Sequence, residues 1–121
     1  MSITRVGITT DDDGYAVMSR AVIRHHTVYL CGIVPDAHDG DIVVQTRQVL
    51  AKIDAMLQAN GTDKSKLLTA QVWIADMKDF MAMNTAWNAW VDRKNPPVRA
   101  CVQAALYHPE VLVEMMVTAA L

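Results

Sequence analysis

The chain is poor in the residue types that build several kinds of site. It has two cysteines, Cys31 and Cys101, and because they do not form a Cys-x-x-Cys pair, no metal site is expected. Two such thiols are typical of a protein kept in a reducing compartment, so we expect a cytoplasmic location. Four prolines and five glycines are too few for a linker or a low-complexity segment. A single domain over residues 1–121 is therefore expected.

Long apolar runs and concentrated charge are also missing. No apolar run reaches the roughly 18 residues of a membrane span, and residues 1–5 lack the charged-then-apolar layout of a secretory signal. The formal net charge is −2, and the basic residues are scattered instead of forming a stripe. This pattern argues against nucleic acid as a partner. Apolar residues are abundant at 52%, which is ample for a packed core.

The apolar pattern predicts the element order β-β-β-α-β-α-β-β. Asp41 is placed to begin the first helix, and Asn60-Gly61 to end it. Asp76 is placed to cap the second helix, which the prolines in residues 95–97 would end. Single strands between helices favour an α+β fold, a mixed six-stranded sheet with both helices on one face. The predicted strands are 3–8, 16–24, 27–34, 67–75, 98–105 and 111–120.

Two charged side chains interrupt the apolar pattern of the last two strands. Arg99 shares a strand face with Cys101, and Glu114 shares one with Met116. An unpaired charge out of water is costly, so these residues either pair with each other or bind a charged ligand. Their faces are expected to point away from the helices, on an open, partly apolar sheet surface that would be an interface between copies. The faces expected to meet the helices carry Val98, Ala100, Val102, Val111, Val113, Met115 and Val117.

The end of the chain resembles the RidA (YjgF) family of small trimeric proteins. The motif Asn-Pro-Pro-x-Arg-Ala-Cys-Val-Gln-Ala occupies residues 95–104, and Glu114 follows Arg99 by 15 positions. Further similarity lies in residues 28–32, 45–50 and 79–84. The resemblance implies a chorismate-mutase-like fold in which three subunits form a barrel with clefts between them. It also implies hydrolysis of reactive imines and enamines, such as 2-aminoacrylate, to a 2-oxo acid and ammonia, with neither metal nor pyridoxal phosphate.

The resemblance also implies roles for individual residues. Arg99 would bind the substrate carboxylate, for which a guanidinium is suited because it makes two parallel hydrogen bonds and stays charged. Glu114 would orient the attacking water, and desolvation at an interface would raise the pKa of its carboxyl. The backbone around Ala100 and Cys101 would contact the substrate. No nucleophilic role is expected for Cys101, because no histidine is placed beside it by the sequence.

Four further positions belong to the cleft that the resemblance implies. Gly32 and Asn84 would line or support it. Met18 aligns with a tyrosine of the family, so a polar contact is lost there. Cys31 stands where many members have serine. Both departures affect the substrate side of the cleft and therefore the preferred imine.

Other interpretations of the same residues remain open at the level of sequence. Arg99 and Glu114 could form an interface ion pair, and the two cysteines could be buried apolar residues. A trimer that binds 2-oxo acids or related carboxylates without turnover is the main alternative function, which the missing tyrosine favours. An endoribonuclease, a label used within the family, is disfavoured by the negative net charge and the absence of a basic stripe.

Overall fold

The computed structural model describes residues 2–121 and has the predicted order of elements. The six strands form one sheet in the order β1-β2-β3-β6-β4-β5. Strands β4 and β5 are parallel, and the other neighbouring strands are antiparallel. The predicted mixed sheet with two helices is confirmed. The elements are β1 Thr4–Val6, β2 Ala21–Arg24, β3 Thr27–Leu30, α1 Ile42–Ala59, β4 Leu67–Ile74, α2 Phe80–Trp90, β5 Val98–Gln103 and β6 Val113–Ala120.

One hydrophobic core lies between the helices and the sheet. Large side chains that are almost fully buried in such a core each contribute roughly 1.5–3 kcal/mol. Within residues 2–121, no helix combines the length and apolarity needed to cross a membrane. The core draws on α1, α2 and the central strands, with Val49, Ile53, Leu57, Val72, Ile74, Met83, Val113, Met115 and Val117 all buried.

The ends of α1 are those predicted, whereas both ends of α2 differ. Asp41 caps α1 by accepting the N–H of Val44 at 3.0 Å. Asp76 instead caps a short 3-10 turn, by accepting the N–H of Lys78 at 2.9 Å, and α2 begins only at Phe80. The second helix also ends at Trp90, before the prolines, because Asp92 organises a turn over the next residues.

The second strand is shorter than the predicted 16–24. Residues 9–18 form an arm in which Thr9 bonds with the backbone of Met18, with Thr9 N–H donating to the Met18 carbonyl at 2.8 Å. The Thr9 hydroxyl also donates to the Ala16 carbonyl at 2.8 Å and accepts the Met18 N–H at 2.9 Å. These side-chain bonds replace the regular ladder that the apolar pattern predicted, so β2 begins at Ala21.

The predicted sheet faces are right for β6 and wrong for β5. Val98 is 72% exposed and Val102 is 45% exposed, so this apolar face of β5 does not meet the helices. Arg99 and Cys101 lie on the helix side, as does Gln103, which accepts the N–H of Met77 ahead of α2 at 2.7 Å. The edge strand thus turns its polar side chains toward α2 and leaves an apolar face open.

Candidate functional site

Arg99 is held against α2 by three different contacts. One guanidinium nitrogen donates to Asn84 Oδ1 at 2.7 Å, and another lies 3.7 Å from the sulfur of Met83. The guanidinium carbon lies 5.2 Å from the ring centroid of Trp87, within the range of a cation–π contact. Arg99 forms no ion pair within residues 2–121. Because a guanidinium has five N–H donors, several remain for a carboxylate ligand.

Glu114 lies on the opposite face of the sheet from Arg99. Glu114 pairs with Trp73 of β4, whereas Arg99 pairs with Ala70, which is buried under the helices. Directly paired residues point to the same face, and successive residues alternate between faces. An ion pair between Arg99 and Glu114 of the same chain is therefore excluded.

Glu114 projects into a cleft of about 600 Å³ that we call the Glu114 cleft. Its carboxylate sits so close to Gly32 that a Cβ at position 32 would collide with Oε2. Burial raises the pKa of the Glu114 carboxyl above its usual range. The cleft is also lined by Thr9, Thr10, Asp13, Tyr15, Ala16, Met18, Arg20, Val34 and Tyr107.

The residues singled out in the sequence fall into two groups. Glu114, Gly32 and Met18 meet in the Glu114 cleft, and the carbonyl of Arg20 in the same cleft accepts the N–H of Cys31 at 2.9 Å. The other group consists of Arg99 with Asn84, together with Cys101 on the same strand face and Ala100, which lines a shallow pocket beside Arg99. One chain does not bring the two groups together.

Residues 13–121 match the family model described as Endoribonuclease L-PSP. The chain belongs to this family. The chain is 43% identical over 120 residues to the RutC family protein YoaB of Escherichia coli K12, a match that covers 99% of both chains. The family membership expected from residues 95–104 is thereby confirmed.

Solved structures of family members share the whole fold. A YjgF-family protein from Neisseria meningitidis matches with a TM-score of 0.90 and 38% identity, over 99% of this chain and 95% of that one. A Rid-family protein from Yersinia pestis, called YyfA and of unknown function, matches with a TM-score of 0.84 and 27% identity, over 99% and 100% of the two chains. The α+β architecture is therefore that of the family.

The two thiols are poorly suited to nucleophilic chemistry. Burial raises the pKa of both Cys31 and Cys101, with nearby charges acting as smaller influences. A thiol with a raised pKa is almost wholly protonated near neutral pH, and the thiolate is the reactive form. Within residues 2–121, no group of three or more His, Cys, Asp or Glu side chains is arranged to hold a metal ion.

Three residues near the Glu114 cleft were not found by the sequence analysis. Tyr107 lines the cleft, and its hydroxyl lies 2.9 Å from Nε2 of His38. The His38 ring in turn packs against His108, with centroids 4.6 Å apart. The histidine and tyrosine come from loops 69 positions apart, so no local pattern links them. The sequence signal that could have indicated Tyr107 and His108 is the polar turn before β6, in which both lie.

Proposed function

We propose that this RidA-family protein hydrolyses reactive imines and enamines to 2-oxo acids and ammonia, at a site shared between copies of the chain. The observation that carries the proposal is the division of the candidate site. Arg99 is held ready for an anion without a carboxylate partner, while Glu114 is partly desolvated on the other sheet face. A second copy would place its Arg99 at the Glu114 cleft and so complete the site.

The open sheet face supports such an association. It carries apolar side chains that are substantially exposed, although they lie on regular strands of the sheet. Exposed apolar patches of this kind usually mark contact surfaces. The trimer expected from the resemblance would bury this surface, whose apolar members include Tyr29, Val98, Val102 and Met116.

In the proposed reaction, Arg99 of one copy binds the substrate carboxylate and Glu114 of the other handles protons. Glu114 accepts a proton from water as the water oxygen bonds to the imine carbon, and the carbon–nitrogen double bond becomes single. The carboxyl then returns a proton to the nitrogen of the carbinolamine. Glu114 next moves the hydroxyl proton of the carbinolamine to its nitrogen, and the carbon–oxygen bond becomes double as the carbon–nitrogen bond breaks. Ammonia leaves and the 2-oxo acid remains. The raised pKa of Glu114 suits a group that must both take and give a proton near neutral pH.

Replacing Arg99 by alanine tests whether this residue binds the substrate carboxylate. Loss of a charge-assisted pair of hydrogen bonds should remove about 2–4 kcal/mol of transition-state binding, or roughly 30- to 1,000-fold in kcat/KM. The measurement is ammonia release from freshly generated amino-acid imines. The matched control is Arg93→Ala, because Arg93 is exposed in the turn after α2. An Arg99→Ala protein as active as the parent would show that the arginine is not the anchor.

A ligand-binding role without turnover is the second candidate. Met18 lines the cleft at the position where the resemblance implies a tyrosine, and the loss of that hydroxyl favours binding over chemistry. The two functions separate in the same assay, because a binding protein releases no ammonia while still binding 2-oxo acids through Arg99. Endoribonuclease activity, which the family description names, is disfavoured because the net charge is −2 and the basic residues are scattered along the sequence.

A further inference from the structure

Arg20 is the one basic residue among those that line the Glu114 cleft. Within residues 2–121, the Arg20 side chain forms no ion pair, and no hydrogen bond from it is found. The backbone of Arg20 is fixed, since its N–H donates to the Val6 carbonyl at 2.9 Å. The stem packs over Gly7, where a Cβ would lie 3.1 Å from three Arg20 carbons. Arg20 is thus an exposed residue with a fixed backbone and stem, and it lines the cleft without a charged partner among the described residues.

The Cys31 thiol lies close enough to Arg20 to be affected by its charge. Burial is the main cause that raises the pKa of the Cys31 thiol, and Arg20 is the strongest of the charges that lower it. Glu114 acts on the same thiol in the opposite direction, more weakly. Cys31 therefore lies within reach of both charges. A ligand with its reacting carbon at Glu114 has Arg20 available for a group further along its chain.

We propose that Arg20 binds a second carboxylate, so that the cleft prefers imines and 2-oxo acids that carry an acidic group on their side chain. This inference rests on the proposed function, in which Arg99 of another copy binds the carboxylate next to the imine. A guanidinium is suited to a carboxylate because two parallel N–H donors match its two oxygens. The remaining acid of the cleft wall, Asp13, is exposed and accepts the N–H of Tyr15 at 3.0 Å. Its charge is therefore well solvated and opposes a second acid only weakly.

Two ligands of equal length test the proposal. 2-Oxoglutarate and 2-oxopentanoate both have five carbons, and only the first has a second carboxylate. Calorimetric titration should show about 10-fold tighter binding of 2-oxoglutarate to the parent protein. Arg20→Gln should abolish this preference and change the Kd of 2-oxopentanoate less than about twofold. Arg24→Gln is the matched control. Arg24 is also exposed and lies at the end of β2, the strand that follows Arg20, but it does not line the cleft. This variant should leave both affinities unchanged.

The outcomes separate this inference from the proposed function. Equal binding of both ligands to the parent would overturn the role of Arg20, as would equal weakening of both by Arg20→Gln. Arg99→Ala should instead weaken both ligands alike. A protein with an Arg20-dependent preference that releases no ammonia would overturn the deaminase while leaving the second carboxylate site in place. Arg20→Lys, which keeps the charge, should retain part of the preference even if the glutamine variant folds poorly.

Discussion

The carboxylate of Glu114 has its position because residue 32 has no side chain. A Cβ at position 32 would overlap Oε2 of Glu114, so the carboxylate can occupy this place because residue 32 is glycine. Burial removes water from this carboxyl and raises its pKa. The position of the carboxylate and its proton affinity therefore both follow from how it is packed.

Substitution of Gly32 by alanine should displace Glu114 from the cleft. A displacement of about 1 Å in a reacting group can cost on the order of 100-fold in rate, so we expect kcat to fall by about that factor. Far-UV circular dichroism should remain that of the parent, because Glu114 can move its flexible end. Ala55→Ser, which adds one atom at an exposed position of α1 outside the cleft, is the comparison and should keep full activity. A fully active Gly32→Ala protein would argue against Glu114 as the reacting group.

The raised pKa of Glu114 also has a consequence for stability. A carboxyl whose pKa is higher in the folded state binds its proton more tightly when folded, so its contribution to stability falls as the pH rises through that raised pKa. Glu114→Gln should therefore raise Tm at neutral pH, and the gain should shrink as the pH is lowered toward 4.5, the ordinary value for glutamate. Thermal unfolding of both proteins across this pH range is the measurement. Glu110→Gln, at an exposed position, should show no such gain.

Gln45 connects α1 to the segment just before β6. This buried side chain accepts the N–H of Leu112 at 2.8 Å and donates to the Glu110 carbonyl at 2.9 Å. It also approaches the His38 carbonyl, at 3.4 Å. One amide therefore satisfies backbone groups on both sides of the loop that leads to Glu114. The helix holds the strand in place through a polar contact inside the core.

Gln45→Ala should weaken this connection and destabilise the fold. The part-buried N–H of Leu112 and carbonyl of Glu110 would each lose a partner, at about 1–3 kcal/mol for a group left unsatisfied, so we expect a loss of about 2–4 kcal/mol in the free energy of unfolding. Urea denaturation provides the measurement. Gln58→Ala on the exposed surface of the same helix should change stability by less than about 0.5 kcal/mol. Equal effects from the two variants would mean that the buried amide has no special structural role.

The sequence predicted those elements whose determinants are local. Asp41 caps α1 through a residue three positions away, so the start of that helix could be found. The faces of β5 could not, because apolar alternation assumes that the apolar face is the covered one. In this edge strand, Arg99 is held on the helix side by Asn84 and Trp87, from a helix earlier in the chain. The Glu114 cleft likewise combines loops that no periodic pattern connects, which is why Arg20 and Tyr107 were missed.

The two faces of the sheet differ in character. The helix side is closed by a continuous core, whereas the open side exposes Val98 at 72% and Met116 at 45%. Burial of such surface is worth roughly 25 cal/mol per Å², which favours association of copies through this face. The proposed shared site requires that association, so assembly and activity should be lost together.

Met116→Glu should disrupt the assembly by placing a charge in the middle of the open face. Desolvation of an unpaired carboxylate is costly, so we expect light scattering to report a smaller species than the parent, with little ammonia release. Met81→Glu is the matched control, because Met81 is 73% exposed on α2 and lies away from the open face. A monomeric Met116→Glu protein with full activity would show that one chain is sufficient for the reaction.

The placement of Arg99 and Glu114 on opposite sheet faces has a genetic consequence. If each site takes its arginine from one chain and its glutamate from another, a chain that lacks either residue inactivates only the site to which it would supply that residue. Two different inactive alleles, one lacking Arg99 and one lacking Glu114, would then complement each other when coexpressed, because some junctions receive both intact residues. Two alleles that lack the same residue would not.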